Sequence, residues 1–204
     1  MKLFSYVVAR DFGFAPNPFY QFCTLGTCKP EIRRHAEVGD WVVGTGSKTR
    51  GRDRCIVFVM QITEIMSFEC YWSDTRFQQK KPNLRGSKKQ AFGDNIYYRN
   101  VVTYEWCQLD SHHSQPEGIP NIKNIKNDTK TDRVLISDDY IYWGGEGPQI
   151  PAKYRNYCGF DLCKIGMGHK CKFPVNMVTD FVDWIRSLGV QGYCGTPLDW
   201  SKTS

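Results

Sequence analysis

At 204 residues, with 41% hydrophobic and 14% aromatic side chains, the chain carries enough apolar material for a packed core, which excludes a disordered segment. Its 27 lysines and arginines against 21 aspartates and glutamates leave a net charge of +6, modest overall but uneven along the chain. No apolar run approaches the roughly eighteen residues a membrane span needs, so the sequence predicts a soluble protein with no membrane partner. Nine cysteines, an odd number, and an N-terminus that runs straight into a strand without an apolar leader predict free thiols in a reducing cytoplasm.

Leu3 to Ala9 reads as a first strand, apolar at nearly every position and therefore expected in the middle of its sheet. It ends at Arg10-Asp11. Phe12 to Tyr20 holds two prolines, a glycine and four aromatics, so it is a loop whose rings either plug the core or offer faces for stacking a base. Thr27 to Ala36 predicts a short helix with Pro30 in its first turn; its cations Lys29, Arg33 and Arg34 point to solvent or to phosphate.

In Val38 to Ser47, Gly39-Asp40 is a turn signal, Trp41-Val42-Val43 a strand, and Gly44-Thr45-Gly46-Ser47 a run of small residues. Glycines let another molecule approach the backbone, and the two hydroxyls can donate and accept, so this turn is either a binding site or a hairpin that only turns the chain. Arg50-Gly51-Arg52 makes a basic loop, and Cys55 to Ile62 is the strongest strand in the sequence. Strand, basic loop and strand predict the core of a small barrel.

Ser67 to Phe77 mixes polar and aromatic residues, with Tyr71 and Trp72 the notable pair. From Arg76 to Arg99 there are seven cations and one acid, Asp94, which predicts either a polyanion-binding surface or a solvated loop. Asp94 and Asn95 then offer hydrogen-bonding groups beside Tyr97 and Tyr98, and Val101 to Trp106 is a short strand. Asp110 to Ser114 contains His112 and His113. Pro116 to Asp132 reads as loop, and Arg133 to Trp143 as a strand interrupted by Asp138-Asp139. Pro174 to Leu188 is the clearest helix, with Val175, Val178, Phe181, Val182, Ile185 and Leu188 on one stripe and Gly189 as its cap. Without repeats or a linker, the chain is expected to be one domain, residues 1–204.

Two constellations could carry chemistry. Cys158, Cys163, His169 and Cys171 supply the atoms of a tetrahedral zinc site at a non-standard spacing, against the alternative of buried thiols. His112 and His113 with Asp110 and Asp94 could serve acid–base hydrolysis, although adjacent histidines on an extended backbone point to opposite faces. Phosphate-binding P-loops, dinucleotide fingerprints, nucleophile elbows, kinase signatures and the zinc-helix and deaminase motifs are missing, and no cofactor is expected.

Lys2 to Pro18, Thr27 to Arg33 (TCKPEIR), VGDWVVGTGSK, KQAFGDNIYY, Asp110 to Ser114 (DSHHS) and TDRVLIS together resemble the bacterial family called nucleotide modification associated domain, type two. That resemblance spans nearly the whole chain and implies a role beside DNA-modifying enzymes or in phage defence. A second likeness, in which a short helix is followed by Gly-Asp and a strand ending in small hydroxyl residues, is similar to the EVE, ASCH and YTH members of the PUA-like superfamily. It implies an α+β fold, a single domain built as a curved mixed β-barrel with flanking helices, and a pocket including Thr45, Gly46, Ser47 and Lys48. Trp41, Trp72, Tyr20 and Phe14 are the candidate cage residues.

Three functions are consistent with these residues. The first is a binding module for DNA or a nucleotide carrying a modified base. Its base-contacting set is Asp11, Phe14, Tyr20, Thr45, Gly46, Ser47, Lys48, Trp72, Asp94, Asn95 and His112, and its phosphate-contacting set is Lys80, Lys81, Arg85, Lys88 and Lys89. The second is a hydrolase or amidohydrolase on modified bases using Asp94, Asp110, His112 or His113. The third is a ligand-free structural partner of DNA-modifying enzymes.

Overall fold

A computed structural model describes residues 1–202, with side chains through Trp200. In chain order the strands are β1 (Leu3–Val8), β2 (Cys23–Leu25), β3 (Trp41–Gly46), β4 (Ile56–Gln61), β5 (Glu64–Met66), β6 (Tyr97–Arg99), β7 (Trp106–Gln108), β8 (Val134–Ser137), β9 (Asp139–Tyr142) and β10 (Gly192–Tyr193). The helices are α1 (Pro30–His35), α2 (Phe68–Ser73), α3 (Lys88–Ala91), α4 (Ile122–Asp128) and α5 (Val175–Ser187), joined by short 3₁₀ turns. The protein is α+β, and the chain forms two compact units, each assembled from separated segments.

The first unit comprises Met1–Asp11, Ala36–Thr63 and the segment from Asp138 onward. Its sheet has the order β1-β3-β4-β9-β10, with β1 parallel to β3, β10 parallel to β9, and antiparallel pairs between. The strands read at Leu3–Ala9, Trp41–Val43 and Cys55–Ile62 therefore lie side by side in one sheet. The sheet is open, however, and no closed barrel is formed among the described residues. β1 is a terminal strand rather than a central one. Its continuous burial has another cause: Ser5 exchanges two backbone hydrogen bonds of 2.8 Å with Lys170, which covers the outer edge.

α5 packs on this sheet. Met177, Val178, Phe181 and Ile185 join Leu3, Trp41, Val43, Ile56, Val59 and Ile141 in one core, while Val182 and Leu188 are partly buried against it. Val175, expected to start the stripe, is 71% exposed because the buried face turns about Met177 instead. Gly189 follows the helix at φ +64, the left-handed conformation that favours glycine.

The second unit comprises Phe12–His35 and Glu64–Ser137. It holds a three-stranded antiparallel sheet, β2-β8-β5, and the β6-β7 hairpin. Its core is largely aromatic: Phe14, Phe68, Tyr71, Phe77 and Tyr97 pack with Ile96, Ile125, Val134 and Ile136. The loop aromatic Phe14 thus plugs a core. The expected strand across Arg133 to Trp143 is two strands, and the chain leaves the second unit between them, at exposed Asp138. The segment read as loop, Pro116 to Asp132, contains α4, whose start is capped by the Asn121 side chain accepting from the Asn124 N–H at 3.2 Å.

Candidate functional site

The small-residue turn lies in the first unit, and its space is filled by the chain itself. A Cβ added to Gly44 would stand 2.2 Å from the Phe58 ring, and one on Gly46 would stand 2.2 Å from the Arg52 carbonyl oxygen. The glycines therefore accommodate the β3–β4 register shift and the Arg52 backbone, where a ligand approach was expected. Thr45 is buried and donates to the Tyr6 carbonyl at 3.3 Å, Ser47 pairs with Thr49 at 2.7 Å, and Lys48 is exposed. Asp11, also in this unit, is buried: its carboxylate accepts from the Tyr142 hydroxyl and from the Leu198 N–H at 3.0 Å, tying down the C-terminal 3₁₀ turn.

The Cys158, Cys163, His169 and Cys171 set does not come together as a metal centre. Cys158 is exposed, Cys163 is buried with its thiol directed to the Asp53 carbonyl at 3.7 Å, and the His169 ring lies beside Phe4.

In the second unit, Asp94 and Asn95 are fully buried. The Asp94 carboxylate accepts from Thr24 and Tyr71 hydroxyls, each at 2.8 Å, and from the Gly26 N–H at 3.2 Å, while the Asn95 amide donates to the Tyr71 and Phe77 carbonyls. Asn95 Oδ1 is buried without a hydrogen-bond partner, while the Asp94 carboxylate and the Asn95 N–H groups serve the core. Lys80 leaves the expected phosphate set for the same reason. It is fully buried, and its ammonium donates to Asn17 O, Asn17 Oδ1 and Phe22 O at 2.7 to 3.0 Å. Burial pulls the Lys80 pKa down to about 8 and raises that of Asp94, each opposed by the other's charge. Arg33 is buried too, its guanidinium spent on the Cys28, Thr131, Arg133 and Asp128 carbonyls.

The other cations of the basic segment are at the surface, four of them, Arg76, Lys81, Lys89 and Arg99, on aromatic rings. Lys81 Nζ lies 3.7 Å from the centre of the Trp72 ring, which stacks on Tyr98 at 4.4 Å. Lys89 Nζ lies 4.5 Å from the Tyr20 ring. Arg99 covers Trp106 at 3.9 Å. A cleft of about 530 Å³ is lined by Tyr20, Lys81, Asn83, Ser87, Lys89 and Gln90, and another of about 450 Å³ by Trp72, Tyr98, Arg99 and Tyr104. Arg85 and Lys88 are exposed on the same basic segment. Rings with a cation resting on them complement the two halves of a nucleotide, a π face and an anion.

The two histidines part company. His112 is exposed and sits among the Phe12, Phe14 and Phe92 rings, and Asp110 is exposed as well. His113 turns inward. Its Nδ1 lies 3.0 Å from Asp128 Oδ2 and its Nε2 lies 3.5 Å from Cys28 Sγ. Asp128, 1% exposed, also accepts from the Tyr97 hydroxyl at 2.8 Å, the Cys28 N–H at 3.0 Å and the Asn127 amide at 3.2 Å. Burial opposes charging of His113, but its hydrogen bonds to Asp128 and Cys28 outweigh it and hold the pKa up at about 9. Cys28 and Lys29 both adopt left-handed backbone, φ 58 and φ 42, which turns the chain sharply from β2 into α1 and sets the thiol beside the imidazole.

Among the described residues, Cys28, His113 and Asp128 are the group of three metal-ligating side chains whose atoms gather within 4.8 Å. They fit an ion poorly. All four lone-pair positions of Asp128 have donors, so only the thiol and Nε2 are left to coordinate. Sequence reasoning reached His113 but missed Cys28 and Asp128; the Asn121 cap was the one local sign of the helix that carries Asp128.

Fold and surface define an α+β protein whose second unit presents cations on aromatic rings. The chain belongs to the family described as nucleotide modification associated domain 2, whose family model matches residues 1–204. No curated protein and no solved structure matches it. No helix among the described residues is long and apolar enough to cross a membrane.

Proposed function

We propose that the protein is a nucleotide-recognising module that holds a modified base in a DNA-modification or phage-defence system, with the base stacking in the second unit. The observation that carries this reading is the Trp72–Tyr98 stack with Lys81 on its outer ring. A base can take the place of Lys81 on the indole while the ammonium swings to the phosphate. Tyr20 with Lys89 and Trp106 with Arg99 repeat the pairing, which suits a single strand or a flipped nucleotide. Family membership supports the connection to modified DNA. It also supports treating residues 1–204 as one functional domain, since the match runs through both units. The reading needs no PUA-like barrel, and it moves the base contacts from Thr45–Lys48 to Tyr20, Trp72 and Tyr98.

The test is fluorescence anisotropy of labelled single-stranded oligonucleotides, with and without modified bases, against the wild type and Trp72→Ala. Stacking is worth roughly 1–3 kcal/mol per base, so the substitution should weaken binding by about 5-fold to 150-fold. Equal affinity in a folded Trp72→Ala protein would sink the proposal.

A further inference from the structure

Cys28, His113 and Asp128 have the connectivity of a nucleophile, a base and the group that orients the base. Cys28 and His113 are both half-buried, while the Asp128 side chain is only 1% exposed. The carboxylate is thus the innermost of the three. Asp128 is held by three donors besides His113, Phe14 packs its ring 4.6 Å from the imidazole, and the Asn124 amide donates to the His113 carbonyl at 2.9 Å. The imidazole is therefore fixed on both sides with Nε2 toward the sulfur. Thr27, one residue before Cys28, carries a buried hydroxyl without a hydrogen-bond partner.

We propose that Cys28 is a catalytic nucleophile toward carbonyl carbon, with esters or amides as the substrate class, that His113 is its proton acceptor, and that Asp128 is the positioning residue. In the first half-reaction the neutral form of His113, dominant above pH about 9, takes the Cys28 thiol proton on Nε2, the sulfur lone pair forms a C–S bond, and the carbonyl π pair moves to oxygen. The C=O bond then re-forms, the bond to the alcohol or amine breaks, and that group leaves with the proton from His113. In the second, water adds to the thioester carbon while its proton goes to His113. The C–S bond breaks, and the products are a carboxylic acid and the Cys28 thiol. The atoms balance with water as the only co-reactant. An amide on a modified base would be one such substrate, but the assignment is independent of the Trp72 surface and stands if DNA binding fails.

The experiment uses the full chain with p-nitrophenyl acetate, following p-nitrophenolate release and mapping the acetyl group by peptide mass spectrometry. Exposed Cys70, Cys158 and Cys194 are internal controls. The expected result is a burst of one equivalent with the acetyl group on Cys28, formed at least tenfold faster than on any control thiol. Cys28→Ser should abolish the burst. His113→Gln should slow it about 100-fold, the lower end of general-base effects, and Asp128→Asn should displace the pH profile of acylation without removing the labelling site. Should a variant fail to fold, the wild-type labelling order and pH profile still decide. Labelling of Cys28 no faster than of the controls, or with the same pH profile as theirs, overturns the proposal. So does one equivalent of zinc held by the wild type and lost in Cys28→Ala, with no acylation.

Discussion

The two units solve the same problem, burying a sheet, with different materials. In the first, aliphatic strands lie under one face of α5, and the hydroxyls of the Gly44–Ser47 turn are taken up by the Tyr6 carbonyl and the Thr49 hydroxyl. In the second, aromatic rings fill the core, and Lys80, Asp94, Arg33 and Asp128 are buried with hydrogen-bond partners in a network of carbonyls and hydroxyls. Small hydroxyl residues beside glycine look like a ligand site in sequence, but such residues also let two backbones approach. Charged residues inside an aromatic core have no such cheap explanation, since each costs desolvation and needs partners placed for it. The two buried cations among the described residues, Arg33 and Lys80, both lie in the second unit.

The comparison is broken most severely by testing the first unit as pure packing. Phe181→Ala should lose about 3–5 kcal/mol in denaturant unfolding, because the ring lies wholly inside the α5–sheet core. A loss below about 1 kcal/mol would mean that the helix is not the seal of that sheet. Next comes Lys80→Ala in the second unit, expected to cost about 3 kcal/mol because Asn17 and Phe22 lose their charged donor. A surface lysine of the same segment, Lys88, should change stability by less than about 0.5 kcal/mol when replaced by alanine.

What was legible in the sequence divides along the same line. β1, β3, β4 and α5 could be read because aliphatic periodicity is local, and the buried face of α5 shifted only from Val175 to Met177. The second unit hid its two most consequential features. α4 shows one fully apolar buried residue, Ile125, so no stripe marks it. Cys28 and His113 stand 85 positions apart, and only the fold brings them to 3.5 Å. The reach of Lys80 into the core was equally invisible, since a lysine in a basic run looks solvated until its neighbours are known.

A further prediction concerns pH. His113 has a folded pKa of about 9, above the ordinary 6.5, and it faces Asp128 from α4 and Cys28 from the β2–α1 segment, while Arg33 and Tyr97 donate to Asp128 in turn. A raised pKa contributes stability that is fully present below about 6.5 and is lost as pH rises through about 9. Wild type should therefore lose up to about 3 kcal/mol more than His113→Gln between pH 6 and pH 9.5 in chemical unfolding. Parallel curves for the two proteins would separate His113 from Asp128. Gly46→Val follows, with about 1–3 kcal/mol of destabilisation from the Arg52 carbonyl and no selective effect on nucleotide binding. Selective loss of binding at unchanged melting temperature would return the site to the first unit. The smallest effect is Lys81→Ala, which should reduce the salt slope of single-strand binding by about 0.7 while leaving the melting temperature unchanged.

The discontinuity of the two units sets a timetable for synthesis. The second unit has received its last strand, β8, once Ser137 has emerged from the ribosome, whereas the first then still lacks β9, α5 and β10. Its opening strands must wait unsealed, with the apolar side that α5 will cover facing water. The nascent chain therefore holds a finished later unit before it has a finished earlier one, and the interval before α5 arrives is when aggregation and chaperone capture compete with folding.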